Sequence, residues 1–445
     1  MNKYKVGLVS LGCPKNEVDA EVMLSRIKES GHEIVDDPSK CDLVIINTCG
    51  FLQSSKQEAI ENIFEIASLK DETDLKKIIV SGCFSGRYPE IIFDEMPEVD
   101  GVLGISQYPD IVEYIEKCMS GDRFVCAEIN ESLSGVSDRV LTTPAHRAYL
   151  KIAEGCSNNC TYCAIPGIRG LMRSRSVAEV VKEANWLIEG GVKEITLVAQ
   201  DTTRYGLDIG ENLTDLLDKI ASLDKNVWVR VLYMYPEMIT DELIAVYQKH
   251  ENICRYMDIP LQHVSDRVLK RMNRHSNYEG IVQTYNKIRK SLPDITLRTT
   301  YITGFPGETQ EDFDELIKFL HDYPFDNVGA FSYSREEGTP AYNLKDQIDD
   351  KIKDERRGLL LQYQSEISNN LMSKRIGKTY KVIVEDMEDG YFLGRSQHFT
   401  AEIDGEIQIE SDSELIIGEF IDVEILSSTM YDLQGKAIHE NDNSK

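Results

Sequence analysis

Ten cysteines are spread through 445 residues, and three fall within eight positions: Cys156-Ser-Asn-Asn-Cys160-Thr-Tyr-Cys163. Thiolates select soft metals, namely zinc, copper(I) or iron–sulfur clusters. A structural zinc site wants a fourth ligand, usually from a second pair nearby. None stands close: His146 lies ten residues upstream and Cys254 far downstream. Three thiolates on a cubane cluster leave one iron without a protein ligand, an open position of the kind catalytic metals keep for substrate or cofactor. The plain alternatives are a zinc loop or three core cysteines. The tight spacing, directly after a predicted strand, favours the cluster.

A second set, Cys13, Cys49 and Cys83, is dispersed. Each follows a run that reads as a buried strand: Tyr4–Leu11, Leu43–Thr48 and Lys77–Gly82. Helical spacing over Glu17–Ser30 and Ser54–Leu69 separates the runs, and such alternation implies a parallel, doubly wound sheet. Ligands of open α/β sheets bind in the crevice at the carboxyl ends of the strands. Three thiols converging there could hold a second three-ligand cluster. They could equally be buried cysteines packing as small hydrophobes. Cys41, Cys118, Cys126 and Cys254 have no such placement and read as inert thiols.

The elements that must position these groups follow from the rest of the chain. The text turns polar around Glu131–Thr143, which reads as a linker. Six further strand–helix units follow, with strands at Ala148–Ala153, Glu194–Gln200, Trp228–Tyr233, Tyr256–Leu261, Ile295–Thr303 and Val328–Tyr333. A closed eight-unit barrel typically takes about 250 residues, so an incomplete six-unit barrel with an open side fits better. A charged helix runs from about Asp346 to Lys374. Short strand-like runs come after it, Phe399–Ile403 among them, and suggest a small antiparallel barrel. The fold class is therefore α/β multidomain, with boundaries expected at 4–120, 142–372 and 375–441.

Charge and composition narrow the function. Hydrophobic residues make up 41% and charged residues 28%, ordinary for a globular protein, and no apolar run is long enough to span a membrane. The N-terminus lacks the layout of a signal peptide, so the protein is expected in the cytoplasm with its thiols reduced. The net charge is −27, and residues 376–445 carry 16 acidic against 5 basic side chains, a balance of −11. Phosphates are repelled by such a field, which argues against direct nucleic-acid binding and for a basic partner, a small molecule or plain solubility.

Cys156-x3-Cys160-x2-Cys163 is the signature of radical S-adenosylmethionine (SAM) enzymes. Together with the preceding three-cysteine domain and a terminal barrel that looks like a TRAM domain, it makes the chain resemble the radical SAM methylthiotransferases over nearly its whole length. One branch of that family modifies tRNA adenosine, the other an aspartate of the twelfth small-subunit ribosomal protein. Ser10-Leu-Gly-Cys-Pro-Lys-Asn16, Tyr149-Leu-Lys-Ile-Ala-Glu-Gly-Cys156, Ala199-Gln-Asp-Thr202, Tyr256-Met-Asp-Ile-Pro-Leu-Gln-His263 and Ser332-Tyr-Ser-Arg-Glu-Glu-Gly338 look like the second. The resemblance implies a radical-generating [4Fe–4S] cluster on Cys156, Cys160 and Cys163, and an auxiliary [4Fe–4S] cluster on Cys13, Cys49 and Cys83. It also implies two SAM per turnover, β-methylthiolation of the aspartate, and an electron donor such as flavodoxin or ferredoxin. The β-carbon is unactivated, which is why radical chemistry is needed. The alternative function is tRNA adenosine methylthiolation, which shares every cysteine. An iron–sulfur carrier without catalysis has no use for a substrate-sized barrel.

Other marks are softer. The resemblance places an aromatic at Tyr162, for stacking on the adenine of SAM; packing beneath a cluster is the plain reading. Gln200, Tyr235 and Gln262 should project near the barrel mouth as SAM or substrate contacts, or serve as core polar groups. Gly304-Phe-Pro-Gly307-Glu308 could aim backbone N–H groups at SAM or form a tight strand-to-helix turn. Arg169, Arg173 and Arg175 could hold an acidic substrate loop or the SAM carboxylate, or form a solvated basic face. Glu385, Asp386, Glu388 and Asp389, and Glu410, Asp412 and Glu414, are expected to meet a basic protein partner or to be solvated loops.

Overall fold

The computed structural model describes residues 3–130 and 139–438. Most of the expected linker at 131–143, and the last residues of the expected terminal domain, lie outside them. The first body is a six-stranded, all-parallel sheet in the order β2-β1-β3-β4-β5-β6. Its strands are β1 (Lys5–Ser10), β2 (Glu33–Ile34), β3 (Leu43–Thr48), β4 (Lys77–Gly82), β5 (Gly101–Leu103) and β6 (Phe124–Cys126). Helices Pro14–Glu29 and Ile111–Met119 cover one face through Ala20, Met23, Ile27, Ile111 and Ile115. Helices Gln53–Ser68 and Pro89–Glu95 cover the other through Ala59, Ile63 and Ile92. β3 is buried at all six positions, as a central parallel strand covered on both faces must be. An end at residue 120 is one strand too early. β6 completes the sheet, but three residues carry too little pattern to be read from sequence.

The second body is built on six parallel strands: β7 (Arg147–Lys151), β10 (Glu194–Val198), β11 (Trp228–Val231), β12 (Tyr256–Asp258), β13 (Thr296–Thr303) and β14 (Asn327–Ser332). A short antiparallel pair, β8 (Ala153–Glu154) with β9 (Arg173–Ser174), brackets the 156–163 loop. The strands form two three-stranded sheets, and a bridge from Val229 to Ile253 carries the wall across the gap. Along β13, Leu297, Thr299 and Tyr301 are buried, while Arg298 and Thr300 on the opposite face line a central cavity. Helix Asp350–Ser373 buries Arg356, Leu360, Gln364, Ser368 and Met372, close to a helical repeat, and leads into the third body.

That third body is a closed barrel, β15 (Thr379–Glu388), β16 (Tyr391–Ser396), β17 (Ile407–Glu410), β19 (Leu433–Ile438) and β18 (Phe420–Ser428). It is not wholly antiparallel, because β17 pairs with β19 in parallel. Phe399–Ile403 is not a strand. Thr400 N–H bonds the Asp404 carboxylate and Glu402 sits at φ +65°, so the chain coils into a turn. This turn docks on the second body: His398 meets Thr296 at 3.1 Å, Glu402 meets Arg147 at 2.5 Å, and Asp404 accepts from Asn327 at 2.8 Å.

A buried ion cluster fixes the same junction. Glu194, at the start of β10, accepts from Arg230 and Arg395, both at 2.6 Å. Arg395 also pairs with Glu385, which faces His146 at 3.4 Å. Burial pushes the Glu385 carboxyl up, but His146 and Arg395 outweigh it and hold it at about 2. Glu385 is thus taken up in ion pairs at the junction, its side chain still 25% exposed, whereas Asp386, Glu388 and Asp389 are exposed. A carboxyl depressed on folding stabilises above its unfolded value of 4.5, and the gain is lost as pH falls toward 2. Glu385→Gln is therefore expected to lower stability at neutral pH by up to about 3 kcal/mol. It should also flatten the acid-unfolding curve below pH 4.5, measured by circular dichroism against urea at stepped pH.

Candidate active site

All six cysteines singled out from the sequence line one cavity of about 410 Å³, between the carboxyl ends of the first body's strands and the mouth of the partial barrel. Thr400 and Ile403 of the docking turn complete its wall. Cys13 caps the helix Pro14–Glu29, Cys49 follows β3, and Cys83 opens the helix Cys83–Arg87 directly after β4. Two side-chain amides tie these strand ends together. Asn16 donates to Leu11 and Thr48 carbonyls at 3.1 and 3.0 Å, and Asn47 donates to the Asn16 carbonyl at 2.8 Å. Gly82, before Cys83, has φ +101°, and a Cβ there would lie 2.4 Å from Thr48 O. Gly155, before Cys156, has φ +74° and would meet Leu171 O at 2.2 Å. In each triad a left-handed glycine turns the chain at the strand end and delivers a thiol inward.

The 156–163 loop is pinned from several directions. Cys156 N–H donates to Gly170 O at 3.1 Å, Thr161 N–H to Met272 O at 2.9 Å, and Asn273 to Asn159 O at 2.9 Å. Asn158 bridges Asp201 at 2.7 Å and Cys156 Sγ at 3.5 Å. Tyr162 lines the cavity, edge-on to Phe305 at 6.4 Å. Gln200, Tyr235 and Gln262 line it as well, and Tyr235 OH lies 3.7 Å from Cys160 Sγ. Asn159, Tyr233 and Gln262 hold φ of +52°, +61° and +69° on this wall. Such conformations cost about 1–3 kcal/mol each and gather where a structure must aim a group.

Of the two readings of the arginines, the solvated basic face does not hold for Arg169 and Arg175, which are buried in ion pairs. Arg169 is 1% exposed and sits at the junction of the first two bodies. It donates to Glu154 at 2.8 Å, to Asp19 at 3.3 Å, to Asn16, and through Nε to Cys83 Sγ at 3.3 Å. Lys151 joins the same network through Asp19 and through Glu154 at 2.9 Å. Arg175 is buried and pairs with Glu183 at 2.6 Å. Gly304 and Phe305 do not aim N–H groups at the cavity: Glu308 takes both, at 2.8 and 3.3 Å. That stretch is the tight turn. Cys254 is buried against Trp228 and Tyr256, His146 faces the terminal barrel, and neither approaches the 156–163 loop. Sequence reasoning passed over Asn158, Lys15 and Arg274 on the cavity wall. Lys15 stood inside a quoted motif, and its proximity to Cys13 was the available signal.

The donor set suits iron and sulfide. Burial pushes the Cys156 thiol up and takes Cys83 and Cys163 to about 12. Cys83 is held there even with Arg169 Nε at 3.3 Å, so these sulfurs need further positive charge to ionise, which bound iron would provide. Burial also raises Cys13, but Lys15, Arg169 and two helix N–H groups hold it below the ordinary thiol value. No group of three or more His, Cys, Asp or Glu among the described residues is set to hold a metal ion. A cubane of four irons and four sulfides keeps its protein sulfurs further apart than ligands sharing one ion at about 2.3 Å. Asn158 Oδ1, Gln200 Oε1 and Arg274 Nε are buried on the cavity wall without a hydrogen-bond partner, polar fittings for a ligand such as SAM.

Comparison with known proteins agrees with this construction. Residues 150–320 match the model of the radical SAM superfamily, 5–104 that of the uncharacterized protein family UPF0004, and 376–438 that of the TRAM domain. The radical SAM methyltransferase TsrM from Kitasatospora setae, solved with cobalamin and a [4Fe-4S] cluster, shares the fold. Its TM-score is 0.58 at 17% identity, over 76% of this chain and 77% of that one. Fold and cysteine loop together define a radical SAM enzyme. A relative from Clostridioides difficile (strain 630), named ribosomal protein uS12 methylthiotransferase RimO, is 45% identical over 98% of this chain and 99% of its own length. Another of that name from Clostridium novyi (strain NT) is 44% identical over 99% of this chain and 100% of its own. The chain belongs to the RimO family of radical SAM methylthiotransferases.

Removing one member of a buried charge network leaves its partners uncompensated, which costs about 3–5 kcal/mol. Arg169→Met is expected to lower the unfolding free energy by that margin, read as a fall in the urea midpoint of that energy divided by the m-value. Arg169→Lys should recover only part of it, since an ammonium cannot reach all four partners. A loss under about 1 kcal/mol in Arg169→Met means the network is not what locks the two bodies.

Proposed function

We propose that this enzyme methylthiolates the β-carbon of an aspartate in ribosomal protein uS12, with Cys156, Cys160 and Cys163 holding one [4Fe–4S] cluster and Cys13, Cys49 and Cys83 a second. The observation that carries the reading is the single cavity lined by both triads. When bound, the two clusters and two SAM molecules per turnover supply a carbon-centred radical oxidant, a sulfur site and a methyl group. The chain's own residues do the rest. Asn158 and Tyr235 hold hydrogen-bonding groups against Cys156 and Cys160. Tyr162 gives the adenine of SAM an aromatic wall. The docking turn of the terminal barrel narrows the opening, so that water is limited where a radical forms. An external electron donor, flavodoxin or ferredoxin in type, starts the cycle.

The exposed acidic groups of the barrel support a basic protein as substrate rather than an RNA. Asp386, Glu388, Asp389, Glu410 and Glu414 are exposed, while Asp412 pairs with Lys436 at 2.9 Å. No helix among the described residues is long and apolar enough to cross a membrane.

The test is anaerobic incubation of the iron-loaded enzyme with SAM, reductant, and either uS12 or bulk tRNA. Mass spectrometry should find the methylthio group on one uS12 aspartate and none on tRNA; the opposite result overturns the reading. The triads should also separate by mutation. Alanine at Cys156, Cys160 or Cys163 abolishes SAM cleavage. Alanine at Cys13, Cys49 or Cys83 leaves cleavage partly intact and stops sulfur insertion. Iron falls by about half in either triple variant, each set binding one cluster. Unchanged iron in the Cys13/Cys49/Cys83 variant removes the second cluster from the proposal.

A further inference from the structure

Four cations line the cavity: Lys15, Arg169, Arg274 and Arg298. Arg169 is bound to Asp19 and Glu154, and Arg298 pairs with Asp258 at 2.9 Å. Lys15 and Arg274 have no carboxylate in ion-pair contact among the described residues. Arg274 belongs to the Cys160 end, where its guanidinium stacks on Tyr235 at 3.9 Å and donates to Pro260 O at 2.6 Å. Lys15 belongs to the Cys13 end. It is 8% exposed, two positions after Cys13, and its ammonium lies 3.9 Å from the Tyr233 ring centroid. Its one hydrogen bond is a long one, 3.4 Å to Ala199 O. The strained φ of +61° at Tyr233 presents that ring to the ammonium.

A buried ammonium with three donors and one weak acceptor is poorly compensated. The chain has a net charge of −27, yet among the described residues no carboxylate lies within ion-pair distance of this ammonium. Its missing partner is therefore an anion that arrives with the ligand. A carboxylate answers this geometry: it accepts from an ammonium at short range and can leave the aromatic face in place.

Resting on the reaction proposed above, we propose that Lys15 receives the side-chain carboxylate of the aspartyl residue to be modified, fixing the adjacent β-carbon in the cavity and setting the preference for an acidic residue over its amide. The carboxylate and the β-carbon are one bond apart, so a salt bridge at Lys15 locates the reacting carbon on the Cys13 side of the cavity. A neutral asparagine leaves the ammonium unpaired and is rejected for that reason.

The experiment compares two peptides spanning the modified loop of uS12, one with the native aspartate and one with asparagine in its place. Anaerobic binding to iron-loaded wild type, Lys15→Gln and Lys15→Arg is measured by fluorescence anisotropy. Iron content, cluster electron paramagnetic resonance, and SAM cleavage are recorded alongside. Wild type should bind the aspartyl peptide about 10- to 100-fold more tightly than the asparaginyl one. Lys15→Gln should bring that ratio close to one, and Lys15→Arg should restore part of it, with iron content unchanged. An unaltered ratio in Lys15→Gln overturns the proposal. So does an equal loss for both peptides, or a loss of iron with the ratio kept, because the charge then serves the thiolates or the fold. If wild type binds neither peptide, the substrate reading itself has failed, which is a separate outcome.

Discussion

The guanidinium of Arg169 is the hub of the charge network between the two bodies that share the cavity, with the Lys151–Asp19 and Arg87–Glu336 pairs beside it. Arg169 ends the short helix Ile165–Arg169 that follows the 156–163 cysteines and reaches into the first body, where Asp19, Asn16 and Cys83 accept from it. A charge at 1% exposure is tolerable only if its partners are fixed. Those partners sit on the helix Pro14–Glu29 and at the end of β4, the elements that also carry or flank Cys13 and Cys83. The same contact that satisfies the charge therefore sets one triad opposite the other. Apolar packing joins the same bodies in two small clusters, Cys83 and Ile105 with Ala164 and Ile168, and Val18 with Tyr149, Val198, Trp228 and Leu232.

The terminal barrel is held by the same kind of device at the opposite end of the strands. Glu194 stands at the first position of β10, between Arg230 of the neighbouring strand and Arg395 of the barrel. Trp228 and Phe420 add a ring contact at 4.6 Å. Buried ion pairs contribute less stability than apolar packing of equal volume, but they specify one arrangement. Three bodies that must agree on one cavity gain from that specificity, because a small rotation at either junction would separate groups contributed by different bodies.

Much of this was legible in the chain. Strands and helices of the first two bodies follow apolar periodicity closely; the helix Val177–Glu189 is fixed at one end by a Ser176–Glu179 capping box. The six cysteines could be placed at strand ends because parallel sheets put their ligand crevices there. What failed is informative. Phe399–Ile403 alternates like a strand, but its partners are in another body, so local pattern could not reveal a docking turn. Glu385 read as a partner contact or a solvated loop, and Arg169 as a substrate or SAM contact or a solvated face; neither reading foresaw their ion pairs across the junctions, since a sequence shows a charge and not its partner. Gly304–Glu308 read two ways, and a side chain four residues on, Glu308, decided it by taking the N–H groups itself.

The two cysteine triads also differ in what they ask of the chain. Cys156, Cys160 and Cys163 are neighbours in any conformation, so their mutual effective concentration is high even in an unfolded chain. Cys13, Cys49 and Cys83 are divided by long segments and meet only after β1, β3 and β4 have paired. Closing those segments costs conformational entropy that only the finished sheet offsets. Assembly therefore has a direction: the loop can gather its thiols early, while the crevice exists only once the native sheet does. Partial unfolding of the first body would scatter one triad and leave the other whole.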